Sequence, residues 1–387
     1  MARDNASTAR GSRALLGTRF VLALVCAFMA TRMFGAEWDS VVGSVVEADT
    51  PDDHWVAVRG RYTSYLVDGD EGTVEGTLTL SMFTPAIRPH LSAGKYYAYG
   101  SYYSRTFYGE RTDLVTTYDA KTLAPIGEIE IPPKSAGIGH DGMIGLIDDR
   151  FVGVWNITPG MSVSIVDVTT EQFVGELSTP GCAAVYPMTG GFLMPCGDGT
   201  LQFIGLDAAG KETKRLRSDA FFNVEEDPVF DYAVPTAGGW LFMSFNGQVF
   251  EATMDGDTIN VSEPWSILPE DDDPSDDEGW RIGGRQPFAY NAANNMLVTL
   301  MHNGGGQETF EDGGTEVWAF SVDSKRRGYK IELGEETKGA SVQLTKDADP
   351  LLLVAPSGHE TLRIYTGKTG HLEQEMEEMS GALIQNL

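Results

Sequence analysis

Alternating apolar and polar side chains recur along the chain from residue 62 to the C-terminus and predict many short β-strands. In each recurrence, β-branched or aromatic residues alternate with polar ones, a turn-forming Asp or Gly follows, and a second alternating stretch comes next. A two-residue period interrupted by such a turn is typical of a β-hairpin. The predicted turn residues are Asp68, Asp119, Asp167, Asp207, Asp255, Asp323 and Gly367.

The spacing of these seven hairpins predicts an all-β fold, a seven-bladed β-propeller. Most consecutive turns are 40 to 51 residues apart, which is a spacing found in propeller blades. One interval, from Asp255 to Asp323, is 68 residues long. It contains an acidic run at residues 270–278, which we expect to form a solvated surface loop; calcium binding there is the alternative.

The N-terminus has the features of an export signal. Four arginines precede the apolar run "FVLALVCAFMA" at residues 20–30, and eleven apolar residues fall short of the roughly 20 needed to span a bilayer. We therefore expect residues 1–36 to be a signal peptide, with an uncleaved N-terminal anchor as the alternative. Residues 37–387 would form the propeller as one domain in the periplasm, with no integral membrane role.

The charge of the chain bears on its partners. The formal net charge is −28, from 56 acidic and 28 basic side chains. Such a surface repels phosphate groups, so nucleic-acid binding is not expected.

Two cysteines remain outside the apolar run, Cys182 and Cys196, and an even number in an exported protein suggests a disulfide. A disulfide would hold their Cα atoms roughly 4.4–6.8 Å apart. Two buried free thiols are the alternative, whereas no His or third Cys lies nearby to complete a metal site.

Catalytic motifs do not stand out in the sequence. It contains no G-x-S-x-G elbow, no P-loop and no G-x-G-x-x-G after a strand. The six histidines are scattered without helical pairing, so no metal site is predicted and each is expected on the surface or in a hydrogen bond. From the residues alone, the chain is interpreted as a scaffold or binding propeller without catalytic residues of its own.

Several segments resemble the heavy subunit of bacterial quinoprotein amine dehydrogenases, the methylamine and aromatic amine enzymes. These segments are "YYSRTFYGERTDLVTTYDAKTLAPIGEIEIP" at 102–132, "STPGCAAVYP", "CGDGTL", "PFAYNAANNMLVTLMH" and "DADPLLLVAPSGHETLRIYTGKTG". The resemblance runs from about Asp49 to the C-terminus, and it implies a seven-bladed propeller.

The resemblance also implies how the work is divided between subunits. The heavy subunit carries no cofactor, and tryptophan tryptophylquinone is expected on a separate light subunit, in a heterotetramer of two heavy and two light chains. The electron acceptor would be an amicyanin- or azurin-like copper protein or a cytochrome c. The position of Phe83 matches a phenylalanine at the mouth of the substrate channel, with ordinary packing as the alternative role. The family also implies a Cys182–Cys196 disulfide.

The preferred amine is left open by the sequence. Ile282 and Arg285 depart from the family pattern "GWRPGGWQ", and Phe310-Glu311 replaces an expected His-Lys pair, which puts particular subunit contacts in doubt.

Two rival functions stay open at this point. One is a stand-alone interaction propeller without a redox role, and the other is a metal-dependent propeller hydrolase or lactonase.

Overall fold

A computed structural model describes residues 47–134, 140–269, 279–304, 306–358, 360–379, 381 and 383–387. The predicted signal at 1–36 and the acidic run at 270–278 lie outside these residues. The described chain contains thirty β-strands and four short 3₁₀ turns, Leu91–Ala93, Asp141–Met143, Gln307–Thr309 and Glu335–Thr337. None of its helices is long and apolar enough to cross a membrane.

The strands follow one another from Trp55 to the C-terminus. The first fifteen are β1 (Trp55–Arg59), β2 (Thr63–Asp68), β3 (Thr73–Thr79), β4 (Ile87–His90), β5 (Lys95–Arg105), β6 (Tyr108–Asp119), β7 (Pro125–Ile131), β8 (Ile144–Ile147), β9 (Phe151–Asn156), β10 (Ser162–Asp167), β11 (Gln172–Ser178), β12 (Tyr186–Met188), β13 (Gly191–Pro195), β14 (Leu201–Leu206) and β15 (Glu212–Arg217). The others are β16 (Val234–Pro235), β17 (Gly239–Met243), β18 (Gln248–Asp255), β19 (Thr258–Val261), β20 (Trp265–Ser266), β21 (Trp280–Ile282), β22 (Phe288–Asn291), β23 (Met296–Asn303), β24 (Glu316–Ser321), β25 (Arg326–Glu332), β26 (Gly339–Leu344), β27 (Leu351–Pro356), β28 (Leu362–Thr366), β29 (Leu372–Met376) and β30 (Leu383–Asn386).

Seven antiparallel sheets form the blades, which confirms the predicted seven-bladed β-propeller. From the inside outwards, blade 1 is β30-β1-β2-β3, and blades 2, 3 and 4 are β4–β7, β8–β11 and β12–β15. Blade 5 is β16–β19 with β20 added, blade 6 is β21–β25, and blade 7 is β26–β29. The C-terminal strand β30 pairs with β1, so the two ends of the propeller close the ring within blade 1.

The hydrophobic core is divided among the contacts between blades. Each of the seven buried apolar clusters consists mainly of side chains from two neighbouring blades, and one of the clusters lies between blades 7 and 1. The middle strands are buried on both faces, as in β9 and β27. The outermost strands carry charges instead, as in "ETKRLR" of β15, and charged edges oppose pairing with other chains.

The predicted turns join the third and fourth strands of the blades. The side chains of four of these aspartates accept hydrogen bonds from backbone N–H groups two to four residues later, which fixes the turn. These four are Asp68, Asp119, Asp167 and Asp207.

Blade 6 explains why the interval between the predicted turn residues Asp255 and Asp323 is longer than the other intervals. Its first strand is split, because β21 and β22 pair with different halves of β23. The extra strand β20 and residues 270–278 also fall within this interval.

The two ends of the propeller differ in what they carry. Strands alternate in direction within a blade, so the turn between its second and third strands lies at the same end as the segment leading into the next blade. We call this end the crossover face. The first-to-second and third-to-fourth strand turns lie at the opposite end, which we call the hairpin face.

Candidate functional site

Phe83 lies on the crossover face, in the segment that leads from blade 1 into blade 2. It is half-buried in a tight turn, in which the Thr84 N–H donates to the Ser81 carbonyl at 3.1 Å. Its ring meets the edge of the Tyr103 ring, with centroids 5.6 Å apart and planes at 67°. The structure therefore places Phe83 where a partner bound to this face could contact it, and its role at a channel mouth stays a prediction.

The hydroxyl of Ser81 attaches this turn to blade 2. It accepts a hydrogen bond from the Phe83 N–H at 3.1 Å and donates one to the Ser101 carbonyl on β5. A side chain at Gly100 would lie 3.0 Å from the Thr84 hydroxyl and 3.2 Å from the Ser81 Cβ. Glycine at that position therefore allows the turn to pack directly on the strand.

A second anchor comes from Arg59 at the end of β1, a residue that sequence reasoning missed. Its side chain is buried, and burial lowers the pKa of Arg59 to about 10, so the guanidinium is charged at neutral pH. Nε donates to the Thr84 carbonyl at 3.0 Å, and one terminal nitrogen donates to the carbonyls of Ser81 and Thr84 at 3.0 and 2.9 Å. The other terminal nitrogen donates to the carbonyls of Gly60 and Thr63. The single sequence signal was a charged residue closing the otherwise apolar stretch "WVAVR".

Beside Phe83, the strands β5 and β6 form a long hairpin whose turn lies at the crossover face. They have 11 and 12 residues, against five or six for the corresponding strands of most other blades. The segment that carried the family resemblance forms this hairpin, with Tyr103 paired to Arg111 and Ser101 paired to Asp113. The sequence identified the segment by its resemblance, but no sequence pattern predicted that β5 and β6 would be longer than the corresponding strands of other blades.

A partly buried ion pair secures the base of this hairpin. Arg111 binds the fully buried Asp113 through two hydrogen bonds of 2.7 Å and also donates to the Ser101 hydroxyl at 3.1 Å. The hydrogen bond with Asp113 raises the pKa of Arg111 above its ordinary value. Tyr99 donates to the same carboxylate at 3.2 Å. This network fixes the position from which the hairpin tip projects.

Several aromatic rings are exposed on the same face of the propeller as Phe83. Phe107 and Tyr108 at the hairpin tip are 52% and 62% exposed, and Tyr62 in the neighbouring turn of blade 1 is 43% exposed. Tyr62 donates to the sulfur of Met82, at 3.6 Å, next to Phe83. We call Tyr62, Phe83, Tyr103, Phe107 and Tyr108 the aromatic patch. Exposed aromatic side chains of this kind supply contact area for a protein partner.

The predicted Cys182–Cys196 disulfide is present, also on the crossover face. It joins the segment entering blade 4 to the turn between the second and third strands of that blade, and both cysteines are buried in the core between blades 3 and 4. The Cα atoms are 4.0 Å apart, closer than the expected range. The two cysteines oppose each other as a β-bridge flanked by hydrogen bonds at Ala183 and Gly197, an arrangement that brings paired Cα atoms to ~4.5 Å.

Histidines in the described chain are mostly hydrogen-bonded or ion-paired, as expected. His90 contacts the Tyr97 hydroxyl at 3.3 Å, His140 the Asp231 carboxylate at 3.4 Å and His302 the Thr309 hydroxyl at 3.3 Å. His359 lies outside the described residues. In the part of the chain that the structure describes, no group of three or more His, Cys, Asp or Glu side chains could hold a metal ion.

A cavity of about 520 Å³ lies among the innermost strands, and Phe83 does not line it. Among the lining residues that the structure describes, Asp141 is the one carboxylate. It binds Arg88 at 2.9 Å and the side-chain amide of Gln385 at 2.6 Å. These bonds link the inner strands of blades 1 and 2 to the start of blade 3, so these three polar side chains hold neighbouring blades together.

Sequence comparison places the chain near one family. The family model for the methylamine dehydrogenase heavy chain matches residues 48–384. The methylamine dehydrogenase heavy chain of Paracoccus versutus is 27% identical over 356 residues, covering 87% of this chain and 79% of that protein. The methylamine dehydrogenase heavy chain of Methylobacillus flagellatus is 26% identical over 326 residues, covering 83% and 79%.

Structural comparison supports the fold alone. The β-propeller domain of Cps50 (Swd1) from Myceliophteria thermophila matches with a TM-score of 0.57 and 10% identity, covering 84% of this chain and 98% of that one. The dihydro-heme d1 dehydrogenase NirN matches with a TM-score of 0.53 and 12% identity, covering 90% and 78%. At these identities the likeness shows a shared propeller architecture and no shared activity.

Proposed function

The chain belongs to the methylamine dehydrogenase heavy chain family, and on that premise we propose that it is the heavy subunit of a periplasmic amine dehydrogenase. Family membership implies a light-subunit partner. The light subunit would carry tryptophan tryptophylquinone, and two heavy and two light chains would form the enzyme. The Cys182–Cys196 disulfide is in keeping with an oxidising compartment such as the periplasm.

In this proposal the redox chemistry belongs to the partner. The quinone would oxidise a primary amine to an aldehyde and ammonia, with water as co-reactant and with two electrons and two protons released. The electrons would pass to a copper protein or a cytochrome c. This chain would bind the light subunit, limit the access of water and define the path of the amine, which is the usual division between a cofactor and its protein.

The aromatic patch is the observation that carries the proposal. Phe107 and Tyr108 are each more than half exposed, yet the hairpin that presents them is fixed at its base by a partly buried ion pair. Rigid, exposed aromatic side chains are typical of the residues that dominate binding to another protein. We therefore place the light subunit on the crossover face over blades 1 and 2, with Phe83 at the rim of the space between the subunits.

Binding of the light subunit to the doubly substituted Phe107→Ser, Tyr108→Ser chain tests this placement. Ile126→Ser is the matched control, because Ile126 is 55% exposed in the same blade but lies beside its hairpin-face turn. We expect the double substitution to weaken binding by at least tenfold, since a buried aromatic anchor contributes about 2 kcal/mol or more. Ile126→Ser is expected to bind as the unaltered chain does.

Two outcomes would contradict parts of the proposal. Equal loss of binding in the double variant and in Ile126→Ser would mean that the hairpin tip is not the contact. Tight binding of a partner without any amine oxidation by the complex would favour the stand-alone interaction propeller instead.

A further inference from the structure

Arg59 is a buried cation that binds only the main chain. Its side chain is 7% exposed, and its five hydrogen bonds all run to backbone carbonyls. A guanidinium has five N–H donors, so every donor is used. No salt bridge in the described part of the chain includes Arg59. Moving any of these carbonyls would leave a charged donor unpaired in a buried place, which is costly.

The four carbonyls belong to two neighbouring segments of the crossover face. Gly60 lies in the turn between β1 and β2, and Thr63 is the first residue of β2. Ser81 and Thr84 are the two ends of the turn that contains Phe83. The Thr84 carbonyl receives two of the bonds. Arg59 therefore holds the backbone on both sides of Phe83 and ties it to blade 1.

The strand that carries Arg59 does not depend on this side chain for its pairing. The backbone of β1 pairs with β2 through Arg59 and Ser64 and with β30 through Arg59 and Leu383. Loss of the guanidinium would leave those ladders in place and release the turn. Its effect should thus be concentrated at the crossover face.

We propose that Arg59 is a positioning residue that sets the place of the Phe83 ring and, through it, the size of amine that reaches the quinone. The inference rests on the proposed function for Phe83 at the channel mouth. Arg59 itself would touch neither substrate nor cofactor. The planar guanidinium of Arg59 binds carbonyls from two segments at once. The ammonium group of a lysine has its three donors on one nitrogen, so it cannot bind both segments in the same way.

The test uses the complete heavy–light enzyme with Arg59→Lys, Arg59→Met, Phe83→Ala and the Arg59→Lys, Phe83→Ala double variant. The ratio of kcat/KM for 2-phenylethylamine to that for methylamine is measured in each. Amide hydrogen exchange of the peptide covering Ser81–Ala86 is measured in parallel. Ile364→Val, a fully buried change in an apolar cluster that contains none of residues 81–86, is the control for lost stability.

We expect Arg59→Lys to shift the ratio by about tenfold in the same direction as Phe83→Ala, as changes in pocket shape do. Exchange at Ser81–Ala86 should become faster, and the visible spectrum of the quinone should not change. Because Arg59 acts through Phe83, the double variant should have the same ratio as Phe83→Ala alone. Ile364→Val should leave both the ratio and the exchange at this turn unchanged.

The outcomes separate this inference from the proposed function. If Phe83→Ala leaves the ratio unchanged, the role of Phe83 at the channel mouth is wrong, and so is any control of amine size by Arg59. If Phe83→Ala shifts the ratio but neither folded Arg59 variant shifts it, the positioning role is overturned and the proposed function stands. A shift from Arg59→Lys that persists in the Phe83→Ala background would also overturn it.

Discussion

Reducing the Cys182–Cys196 disulfide should destabilise the propeller by an amount set mainly by the loop that it closes. The cysteines are 14 residues apart, and both are buried in the core between blades 3 and 4. Backbone hydrogen bonds already pair the two segments in the folded state, at Ala183 with Pro195 and at Gly197 with Gly181. The folded structure should therefore persist after reduction, and the larger effect should be on the unfolded chain.

The expected magnitude follows from the loop length. Closing a loop of this size restricts the unfolded chain by ~3 kcal/mol in the chain-entropy model. The reduced protein should thus lose about 3 kcal/mol of unfolding free energy relative to the oxidised protein. The Cys182→Ala, Cys196→Ala protein should lose the same amount plus ~1 kcal/mol, because removing the buried sulfur atoms leaves small cavities.

Urea unfolding followed by tryptophan fluorescence measures these differences. The oxidised protein, the reduced protein and the double-alanine protein are compared at equal pH, and the reductant is also added to the double-alanine protein as a control. That control should show no response. A reduced protein within about 1 kcal/mol of the oxidised one would refute the loop-closure reasoning. Alkylation of both cysteines without reductant would refute the disulfide itself.

Two further predictions concern ion pairs at opposite ends of the propeller. At the hairpin face, His54 lies between Asp70 of blade 1, at 2.8 Å, and Asp347 of blade 7. Burial alone would lower the pKa of His54, but the two carboxylates outweigh the effect of burial and raise the pKa. The stabilisation is therefore complete below the unfolded pKa of about 6.5 and is lost as pH rises through the higher folded pKa. The unfolding free-energy difference between the unaltered protein and His54→Gln should shrink with rising pH, and a difference that grows with pH would contradict the assignment. At the crossover face, Asp113→Asn leaves Arg111 without its buried carboxylate and should cost about 3 kcal/mol in urea unfolding, as loss of one partner of a buried ion pair does. A cost below ~1 kcal/mol would mean that the pair does not secure the hairpin.

Local patterns were sufficient to predict most of the fold. The turn aspartates, such as Asp68 and Asp119, form their own hydrogen bonds within a few residues, so each leaves a signal in a short stretch of sequence. Repetition of that signal gave the number of blades. The closure of the ring did not leave such a signal, because β30 and β1 are more than 300 residues apart in the chain and are brought together only by the complete ring.

The candidate site was predicted less completely, for a similar reason. Phe83 was identified through resemblance alone, and its role stays a prediction. The disulfide was suggested by the even number of cysteines in a chain expected to be exported, the resemblance implied it as well, and it is confirmed. Arg59 could not be identified as an anchor of Phe83, since its partners Ser81 and Thr84 are more than 20 residues away and bind through backbone atoms. Backbone carbonyls are present at every residue, so no side-chain pattern reveals which of them a buried arginine will hold.

Amine turnover after reconstitution is the most direct measurement of the central claim. The purified chain and the quinone-bearing light subunit are assayed separately and mixed, with reduction of an artificial electron acceptor in the presence of a primary amine as the readout. We predict that the chain alone is colourless and inactive, and that the mixed subunits form a complex with visible absorbance that oxidises the amine. Amine oxidation by this chain alone, or a light subunit that neither binds it nor gains activity from it, would contradict the account.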